Sequence, residues 1–93
     1  MTNKYEVALI LSVTKGDEAV NALKEKFNDL IAKNGAVENV DEWGKRRLAY
    51  PINDETEGYY IFTTMTSEPT LPAELERIAG ITEGVLRIMV IRK

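Results

Sequence analysis

Apolar and polar residues alternate along four stretches of the chain, and this period of two predicts four β-strands. The stretches cover residues 5–11, 36–50, 58–66 and 85–91. In the third stretch both alternating sets are largely apolar, which is typical of a strand in the middle of a sheet. The second stretch is long and its apolar residues change parity once, so we expect a bulge at Gly44 and an end at Pro51. A polar turn over residues 53–57 is expected to lead back antiparallel.

Apolar residues at a helical period of about 3.6 predict two helices. The first is predicted over residues 17–33, with one apolar face formed by Val20, Leu23, Phe27, Leu30 and Ile31. Thr14 and Asp17 have the spacing of a capping box, and Gly35 is expected to end this helix in the left-handed conformation. In the second, shorter helix we expect Thr70 to cap the start and Gly80 to close the end. Its predicted buried side consists of Leu71, Leu75 and Ile78.

The resulting order, β-α-β-β-α-β, predicts a ferredoxin-like α+β sandwich. This fold has a four-stranded antiparallel sheet with two helices on one face and an open opposite face. A chain of 93 residues is expected to form one domain, covering residues 1–93. With the helices on one face, alternation assigns to the core Val7, Leu9, Ile61, Met65, Ile88 and Val90. The open face then carries Ile10, Tyr60, Phe62, Arg87 and Met89.

The apolar side chains expected on the open face indicate a contact surface, because a small monomer gains little by leaving such a patch in water. We therefore predict that a protein partner binds there. The predicted partner-binding residues are Tyr60, Phe62, Met89 and Ile10. Two other interpretations stay open from the sequence alone, namely partial burial of these side chains under a loop and self-association of the protein.

Three consecutive cations, Lys45, Arg46 and Arg47, lie within the second predicted strand. Successive strand residues point to opposite faces, so at least one of these side chains must face inward or across a face of the sheet. Charge on an edge strand commonly protects against aggregation. The two arginines favour another interpretation, contact with phosphate or with a protein, because guanidinium offers a planar fork of donors and a stacking surface.

The composition matters mainly for the chemistry that it lacks. The chain is 44% hydrophobic and 29% charged, as is usual for a globular protein, and it contains no His and no Cys. The usual general base, metal ligand and thiol nucleophile are therefore absent. The adjacent carboxylate pairs along the chain are expected to be solvated. We predict no enzymatic activity, no metal and no cofactor.

Hydropathy, the first residues and the net charge limit where the protein is expected to act and what it is expected to bind. No run of about 18 apolar residues is present, so no membrane contact is expected. The first residues lack the basic and apolar regions of a secretory signal, and the absence of Cys agrees with a cytoplasmic location. The net charge of −3 argues against a long-range basic field, but it leaves room for a local cationic patch that binds nucleic acid.

Aromatic residues on an open ferredoxin-like sheet also suggest the RNA-recognition module, whose third strand stacks bases on aromatic side chains. The segment from Glu57 to Phe62 fits that module poorly. Glu57 stands where a cation is expected, and Tyr60 and Ile61 occupy the positions of a small residue and of Phe. We therefore do not assign the chain to that family.

Four segments carry a closer resemblance to a known family, in matching order and spacing across essentially the whole chain. They are Tyr5-Glu6-Val7, Gly44-Lys45-Arg46-Arg47-Leu48-Ala49-Tyr50-Pro51-Ile52, Glu57-Gly58-Tyr59-Tyr60 and Val85-Leu86-Arg87-Ile88-Met89-Val90. In these segments the chain resembles the bacterial small-subunit ribosomal protein six family. The resemblance implies a ferredoxin-like, ribosome-associated protein that pairs with ribosomal protein eighteen and with it binds the central domain of small-subunit ribosomal RNA. It also implies that Arg46 and Arg47 belong to the contact region and that Tyr60 lies near the partner surface.

The cations available for RNA are few, so we predict a contact that positions the RNA backbone and reads few bases. The predicted RNA-binding residues are Lys45, Arg46, Arg47, Arg87, Arg92 and Lys93. Without its partner, the protein is predicted to be a folded monomer with little affinity for RNA. The alternative is a regulatory domain of similar topology that binds a small metabolite. Such a domain would self-associate and would show a polar pocket at a loop.

Overall fold

The computed structural model describes residues 2–52 and 55–93, which form strands and helices in the predicted order. The elements are β1 (Asn3–Ser12), α1 (Asp17–Asn34), β2 (Gly35–Ile52), β3 (Glu55–Ser67), α2 (Thr70–Ile81) and β4 (Val85–Arg92). Of the turn predicted over residues 53–57, Asn53 and Asp54 lie outside the described residues, and Glu55 already begins β3. Neither helix in the described part of the chain is long and apolar enough to cross a membrane.

The strands form one antiparallel sheet in the order β2-β3-β1-β4. Leu9 of β1 lies opposite Ile61 of β3 and Ile88 of β4. One residue further along, Ile10 lies opposite Tyr60. Directly opposed residues of an antiparallel pair share a face of the sheet, so Leu9 and Ile10 mark its two faces. The predicted division of the side chains between a helix-covered face and an open face is confirmed.

The core forms on the face of Leu9, where both helices pack against the sheet. Its buried apolar members come from β1, α1, β3 and α2: Tyr5, Val7, Leu9, Leu11, Val20, Phe27, Ile31, Ile61, Met65, Leu71, Leu75 and Ala79. Burial of one large aliphatic or aromatic side chain stabilises the fold by about 1.5–3 kcal/mol. Ile88 and Val90 were also predicted as core residues, and they are only partly buried because β4 is an edge strand.

The predicted capping residues do not cap the helices. Gly16 precedes α1, and no side chain in the described part of the chain bonds to the first turn of that helix. The Thr14 hydroxyl lies two residues earlier and shares a 2.9 Å hydrogen bond with Ser12 instead. Thr70 lies within α2, because Pro69 occupies the position before the helix with a helical φ of −62°. The fixed φ of proline suits a helix start. No side chain in the described residues caps the start of α2.

Two glycines also differ from their predicted roles. Gly35 follows α1 with an extended φ of −171°, not a left-handed one. A Cβ at Gly35 would lie 2.5 Å from the carbonyl oxygen of Thr66 and 2.9 Å from the Cβ of Ser67. Glycine is required there because the chain passes directly against β3 as it leaves the helix. Gly80 does not close α2, which continues to Ile81.

The long edge strand β2 contains the predicted bulge. Gly44 has a φ of 79°, and the register with β3 shifts between Glu42 and Gly44. The bulge at Gly44 is therefore confirmed. Glu42 lies opposite Ile61 and Gly44 lies opposite Tyr60, which leaves Trp43 as the extra residue of the bulge.

The expectation of a single parity change in β2 is wrong. The register shifts again between Val37 and Asn39, and once more between Arg47 and Ile52. Pro51 also does not end the strand, which continues to Ile52. A proline is tolerated at this position because β2 is an edge strand and because the ladder with β3 is interrupted between Arg47 and Ile52.

Candidate functional site

The open face of the sheet contains a shallow, mostly apolar cavity of about 300 Å³, referred to below as the open-face cavity. Its lining comes from β1, β3 and β4 and consists of Glu6, Ala8, Leu9, Ile10, Tyr60, Phe62, Arg87, Met89 and Ile91. This lining includes all of the residues that the sequence predicted to bind a protein partner. The structure therefore brings Ile10, Tyr60, Phe62 and Met89 together on one surface.

The strand register explains why the cavity forms at this place. Ala8 lies opposite Phe62 on one side and opposite Met89 on the other. Ile10 lies opposite Tyr60 in the next row on the same face. Opposed side chains have Cβ atoms about 4.5–5.5 Å apart, so these large side chains stand around the short methyl group of Ala8. Met89 remains 40% exposed, and Phe62 is only half-buried.

Aromatic rings extend this face toward β2. The ring centroid of Phe62 lies 4.7 Å from that of Trp43 and 6.4 Å from that of Tyr60. The indole Nε1 of Trp43 donates a 3.0 Å hydrogen bond to the carboxylate of Asp41, which fixes the orientation of the indole. Trp43 is nevertheless 51% exposed.

Sequence reasoning missed Trp43 as a member of this surface. Simple alternation along β2 does not assign the Trp43 side chain to a face of the sheet, because the strand changes register three times. The bulge predicted at Gly44 was the signal that could have found it. In a bulge one strand has an extra residue, and here Trp43 is the extra residue between Glu42, opposite Ile61, and Gly44, opposite Tyr60.

The last residues of β2 cover one end of the open face. Leu48 is buried there, and a smaller cavity of about 100 Å³ is lined by Ile10, Leu48, Ala49, Tyr50, Ile52, Tyr60 and Arg87. Arg87 Nη1 donates a long 3.5 Å hydrogen bond to the Tyr50 hydroxyl. The sequence left open partial burial under a loop; at this end the open face is instead partly buried under the last residues of the strand β2. Met89 and Trp43, farther from it, remain exposed.

The cations of β2 directly follow the bulge, and all of them are exposed. Lys45, Arg46 and Arg47 lie opposite Tyr59, Gly58 and Glu57, respectively. Arg46 is thus on the open face, as expected for at least one of the three. Its Nε donates a 3.3 Å hydrogen bond to the carbonyl oxygen of Trp43, and its guanidinium carbon lies 5.9 Å from the centroid of the indole. Lys45 and Arg47 make no hydrogen bond or ion pair with another described residue.

The other predicted RNA-binding cations lie on β4 or directly after it, at the opposite edge of the sheet. Arg87 lines the open-face cavity. Arg92 donates a 3.0 Å hydrogen bond to the side-chain oxygen of Asn3. Lys93 forms a 3.2 Å ion pair with Glu6. These cations therefore already have acceptors within the protein, whereas Lys45 and Arg47 do not.

Arg92 and Lys93 also lie at the other end of the strands from the β2 cations, whereas Arg87, opposite Ile10, lies near the same end as the β2 cations. Lys45 is in the row of Tyr59 and Leu11, whereas Arg92 is in the row of Tyr5. Six residue steps along β1 separate position 11 from position 5, which corresponds to about 20 Å at about 3.3 Å per residue. The six cations predicted from the sequence therefore do not form one patch.

On the helix-covered side, a hydrogen-bonded network ties β2 to α1. The carboxylate of Glu42 accepts hydrogen bonds of 2.8 Å from Lys24 Nζ and from the Tyr59 hydroxyl. The Lys24 ammonium, and secondarily the Tyr59 hydroxyl, hold the pKa of Glu42 below its usual range. The bond to Glu42 in turn raises the pKa of Tyr59. This network fixes β2 beside the bulge that presents Trp43 and Arg46.

The open face of the sheet has the features of a binding surface. Within residues 2–52 and 55–93, no group of three or more His, Cys, Asp or Glu side chains is placed to hold a metal ion. The open face instead combines an apolar concavity, exposed aromatic rings and a guanidinium group. Apolar concavities of this kind bind protein side chains, and guanidinium groups bind carboxylates and phosphates.

Comparison with known proteins identifies relatives over almost the whole chain. The family model described as ribosomal protein S6 matches residues 4–92. The small ribosomal subunit protein bS6 of Clostridium novyi (strain NT) is 52% identical over 88 residues, which cover 94% of this chain and 93% of that protein. The protein of the same name from Alkaliphilus metalliredigens is 49% identical over 90 residues, which cover 97% and 96% of the two chains.

The fold agrees with these sequence matches. The crystal structure of 30S ribosomal protein S6 from Thermotoga maritima superposes with a TM-score of 0.92, covering 100% of this chain and 89% of that chain at 24% identity. The similarity confirms the ferredoxin-like architecture, with its four-stranded sheet and two helices. From the family match and the identity of these relatives, the chain belongs to the ribosomal protein S6 family.

Proposed function

We propose that the protein is a constituent of the small ribosomal subunit that pairs with ribosomal protein eighteen. Together the two proteins bind the central domain of small-subunit ribosomal RNA. Relatives that match nearly the whole chain carry the name small ribosomal subunit protein, which supports the ribosomal part of the proposal. The observation that carries the rest is the position of exposed cations beside an apolar cavity on the uncovered face of the sheet. The open face then offers separate areas to a protein and to an RNA.

The partner protein is proposed to cover the open-face cavity. The residues that would contact it are Ile10, Tyr60, Phe62 and Met89. Exposed apolar and aromatic side chains of this kind form the centre of protein interfaces, where they leave water on binding. Glu6 and Arg87 border the same cavity and would orient the partner through polar contacts at the rim.

The RNA contact is proposed to centre on Lys45, Arg46 and Arg47, which form no ion pair within the described residues. The proposed set is completed by Arg87, Arg92 and Lys93. Members of this second group have acceptors in the protein and would have to exchange them for phosphate oxygens. The net charge of −3 opposes non-specific attachment, so the protein alone should bind RNA weakly.

The whole chain is proposed to act as one domain, associated with ribosomes in the cytoplasm. Before assembly it would be a folded monomer. We propose no enzymatic role, because the function rests on two contact surfaces and requires no chemical step.

Reconstitution from purified components tests the proposal. Gel filtration of the protein with ribosomal protein eighteen should give a complex of one copy of each. In a mobility-shift assay, the pair should bind a central-domain RNA fragment and this protein alone should bind it little. A protein that self-associates, ignores ribosomal protein eighteen and leaves the RNA unshifted would contradict the proposal and favour a metabolite-binding domain.

A further inference from the structure

Two contacts fix the orientation of the Trp43 indole, although the side chain is exposed. Its ring lies 4.7 Å from that of Phe62, and its Nε1 donates a 3.0 Å hydrogen bond to Asp41. About half of the side chain, 51%, remains exposed. Because the indole N–H already has an acceptor, the exposed part offers an incoming ligand mainly its π surface. Little conformational freedom is left to lose when a ligand binds to a ring held in this way.

Arg46 places a cationic group next to this ring. Its Nε donates a 3.3 Å hydrogen bond to the carbonyl oxygen of Trp43, and its guanidinium carbon lies 5.9 Å from the centroid of the indole. A guanidinium has five N–H donors, and the bond from Nε uses one of them. The terminal nitrogens make no hydrogen bond or ion pair with another described residue. A fork of donors is therefore available over one side of the indole ring.

We propose that an unpaired nucleotide of the bound RNA stacks its base on Trp43 while its phosphate binds Arg46. The proposal rests on the RNA contact proposed above, and it adds a site and the kind of nucleotide that occupies it. A nucleotide joins a flat base to an anionic phosphate, and these two parts match the indole and the guanidinium. The base must be unpaired, because a paired base is stacked within its own helix. Lys45 and Arg47 lie opposite Tyr59 and Glu57, on the other face of β2, so they are not part of this site.

The charges around Trp43 favour an RNA strand over a protein segment as the occupant. A protein segment lying on this ring would desolvate the guanidinium of Arg46 unless it carried a carboxylate to pair with it, whereas an RNA backbone has a negative charge at each nucleotide. Of the nearest acidic residues of β2, Glu42 is paired with Lys24 on the helix-covered side. Asp41 accepts the bond from the neutral indole N–H of Trp43 and keeps its negative charge. Stacking also accepts any base, which agrees with a contact that reads little sequence.

Substitution of Trp43 tests the site in the preformed pair with ribosomal protein eighteen, titrated with the central-domain RNA fragment. Trp43→Ala should weaken RNA binding about 5- to 140-fold, the range for loss of one stacked base. Trp43→Phe keeps an aromatic plane and should keep most of the affinity. Val40→Ala is the matched control. Val40 is 36% exposed on the same strand but lies opposite the buried Thr63, on the other face, so RNA affinity should not change.

Fluorescence gives a second readout that a merely structural role would not produce. The chain contains one Trp, so the difference in emission between wild-type and Trp43→Phe pairs isolates the signal of Trp43. A base stacked on the indole should quench this emission when RNA is added to the preformed pair. Unfolding midpoints of the free variants show that each one is folded before it is titrated.

Each contrary result identifies what fails. Unchanged RNA affinity of the Trp43→Ala pair overturns the stacking site, and so does a loss of affinity without quenching in the wild-type pair. A loss of affinity for ribosomal protein eighteen in place of RNA also overturns it and assigns Trp43 to the protein interface. A wild-type pair that binds no RNA contradicts the proposed function itself, and it is recognised because no variant then gives a titration.

Discussion

Tyr60 and Ile61 are neighbours in the chain, but their side chains lie on opposite faces of the sheet. Tyr60 lies opposite Ile10 and lines the open-face cavity, whereas Ile61 lies opposite Leu9 and is 4% exposed in the core. Alternate residues of β3 therefore serve the surface and the interior. Substitutions at adjacent positions can separate the contribution of this strand to binding from its contribution to stability.

The first prediction concerns the stability of the free protein. Ile61→Ala should lower the free energy of unfolding by about 2–5 kcal/mol, because it removes buried apolar groups and leaves a cavity. Tyr60→Ala should have a much smaller effect, because this half-buried side chain lies on the uncovered face. Urea denaturation of both variants measures the difference. Equal destabilisation would place Tyr60 in the core and would remove the main support for the partner surface.

The second prediction concerns the salt dependence of RNA binding. Replacement of Arg46 and Arg47 by Ala should weaken the complex of the protein pair with RNA. It should also lower the magnitude of the slope of log affinity against log salt concentration by about 0.7–0.9 for each phosphate that is no longer neutralised. Replacement of Lys26 and Lys33 by Ala removes the same charge from exposed positions on α1 and should leave the slope unchanged. If the arginine variant kept both slope and affinity, the arginines would not belong to the interface.

The third prediction concerns stability in acid. The pKa of Glu42 is lowered in the folded protein, mainly by the hydrogen bond from Lys24 and also by Tyr59. The carboxylate therefore stabilises the fold at pH values above its unfolded pKa of about 4.3, and this contribution is lost as the pH falls through the lower folded pKa. The Glu42 side chain is 42% exposed, so solvent screening keeps the contribution below about 1 kcal/mol.

Glu42→Gln should accordingly reduce the loss of stability between neutral and acid pH. Urea denaturation near pH 7 and near pH 3 measures this loss in wild type and in the variant. Glu25→Gln is the control, because Glu25 makes no hydrogen bond or ion pair with another residue in the described ranges. An identical loss in wild type and Glu42→Gln would mean that the network does not stabilise the fold.

The fourth prediction distinguishes two glycines by the space around them. Gly35→Ala should destabilise the protein by about 1–3 kcal/mol, because the new Cβ would collide with the backbone of Thr66 and the side chain of Ser67. Gly80→Ala should stabilise it by about 0.4–1 kcal/mol, since Gly80 lies in α2 with no heavy atom within 4 Å of a new Cβ. Thermal unfolding should rank Gly80→Ala above wild type and Gly35→Ala below it. The reverse order would show that the passage from α1 into β2 is not sterically restricted.

The sequence predicted both faces of β1 and β3, and of β4 from Arg87 onward, because these segments follow an almost unbroken alternation. At the start of β4 the register with β1 shifts, and Val85 packs against the core in place of Leu86. β2 could not be predicted in the same way. One extra residue in a strand moves every following side chain to the other face, and β2 shifts its register three times against β3. The bulge at Gly44 was visible as a glycine in a strand pattern, whereas the shift between Val37 and Asn39 has no comparable signal. The position of Trp43 on the open face depends on these shifts.

The remaining differences come from contacts between distant parts of the chain. Arg92 bonds to Asn3 across 89 positions of sequence, so its acceptor could not be inferred from its neighbours. Gly35 at the end of α1 has the local form of a helix terminator, but its role is set by the close passage against Thr66. Local patterns identified these residues, and tertiary packing determined what each of them does.

Binding of ribosomal protein eighteen to Tyr60→Ala tests most directly whether the open face is the partner surface. Calorimetric titration should compare this variant with wild type and with Ile81→Ala, because Ile81 is 75% exposed at the end of α2, away from that face. We predict that Tyr60→Ala loses about 2 kcal/mol or more of binding free energy, about a 30-fold weaker affinity. Ile81→Ala should bind as wild type does. A folded Tyr60→Ala variant with wild-type affinity would contradict the assignment of the open face to this partner.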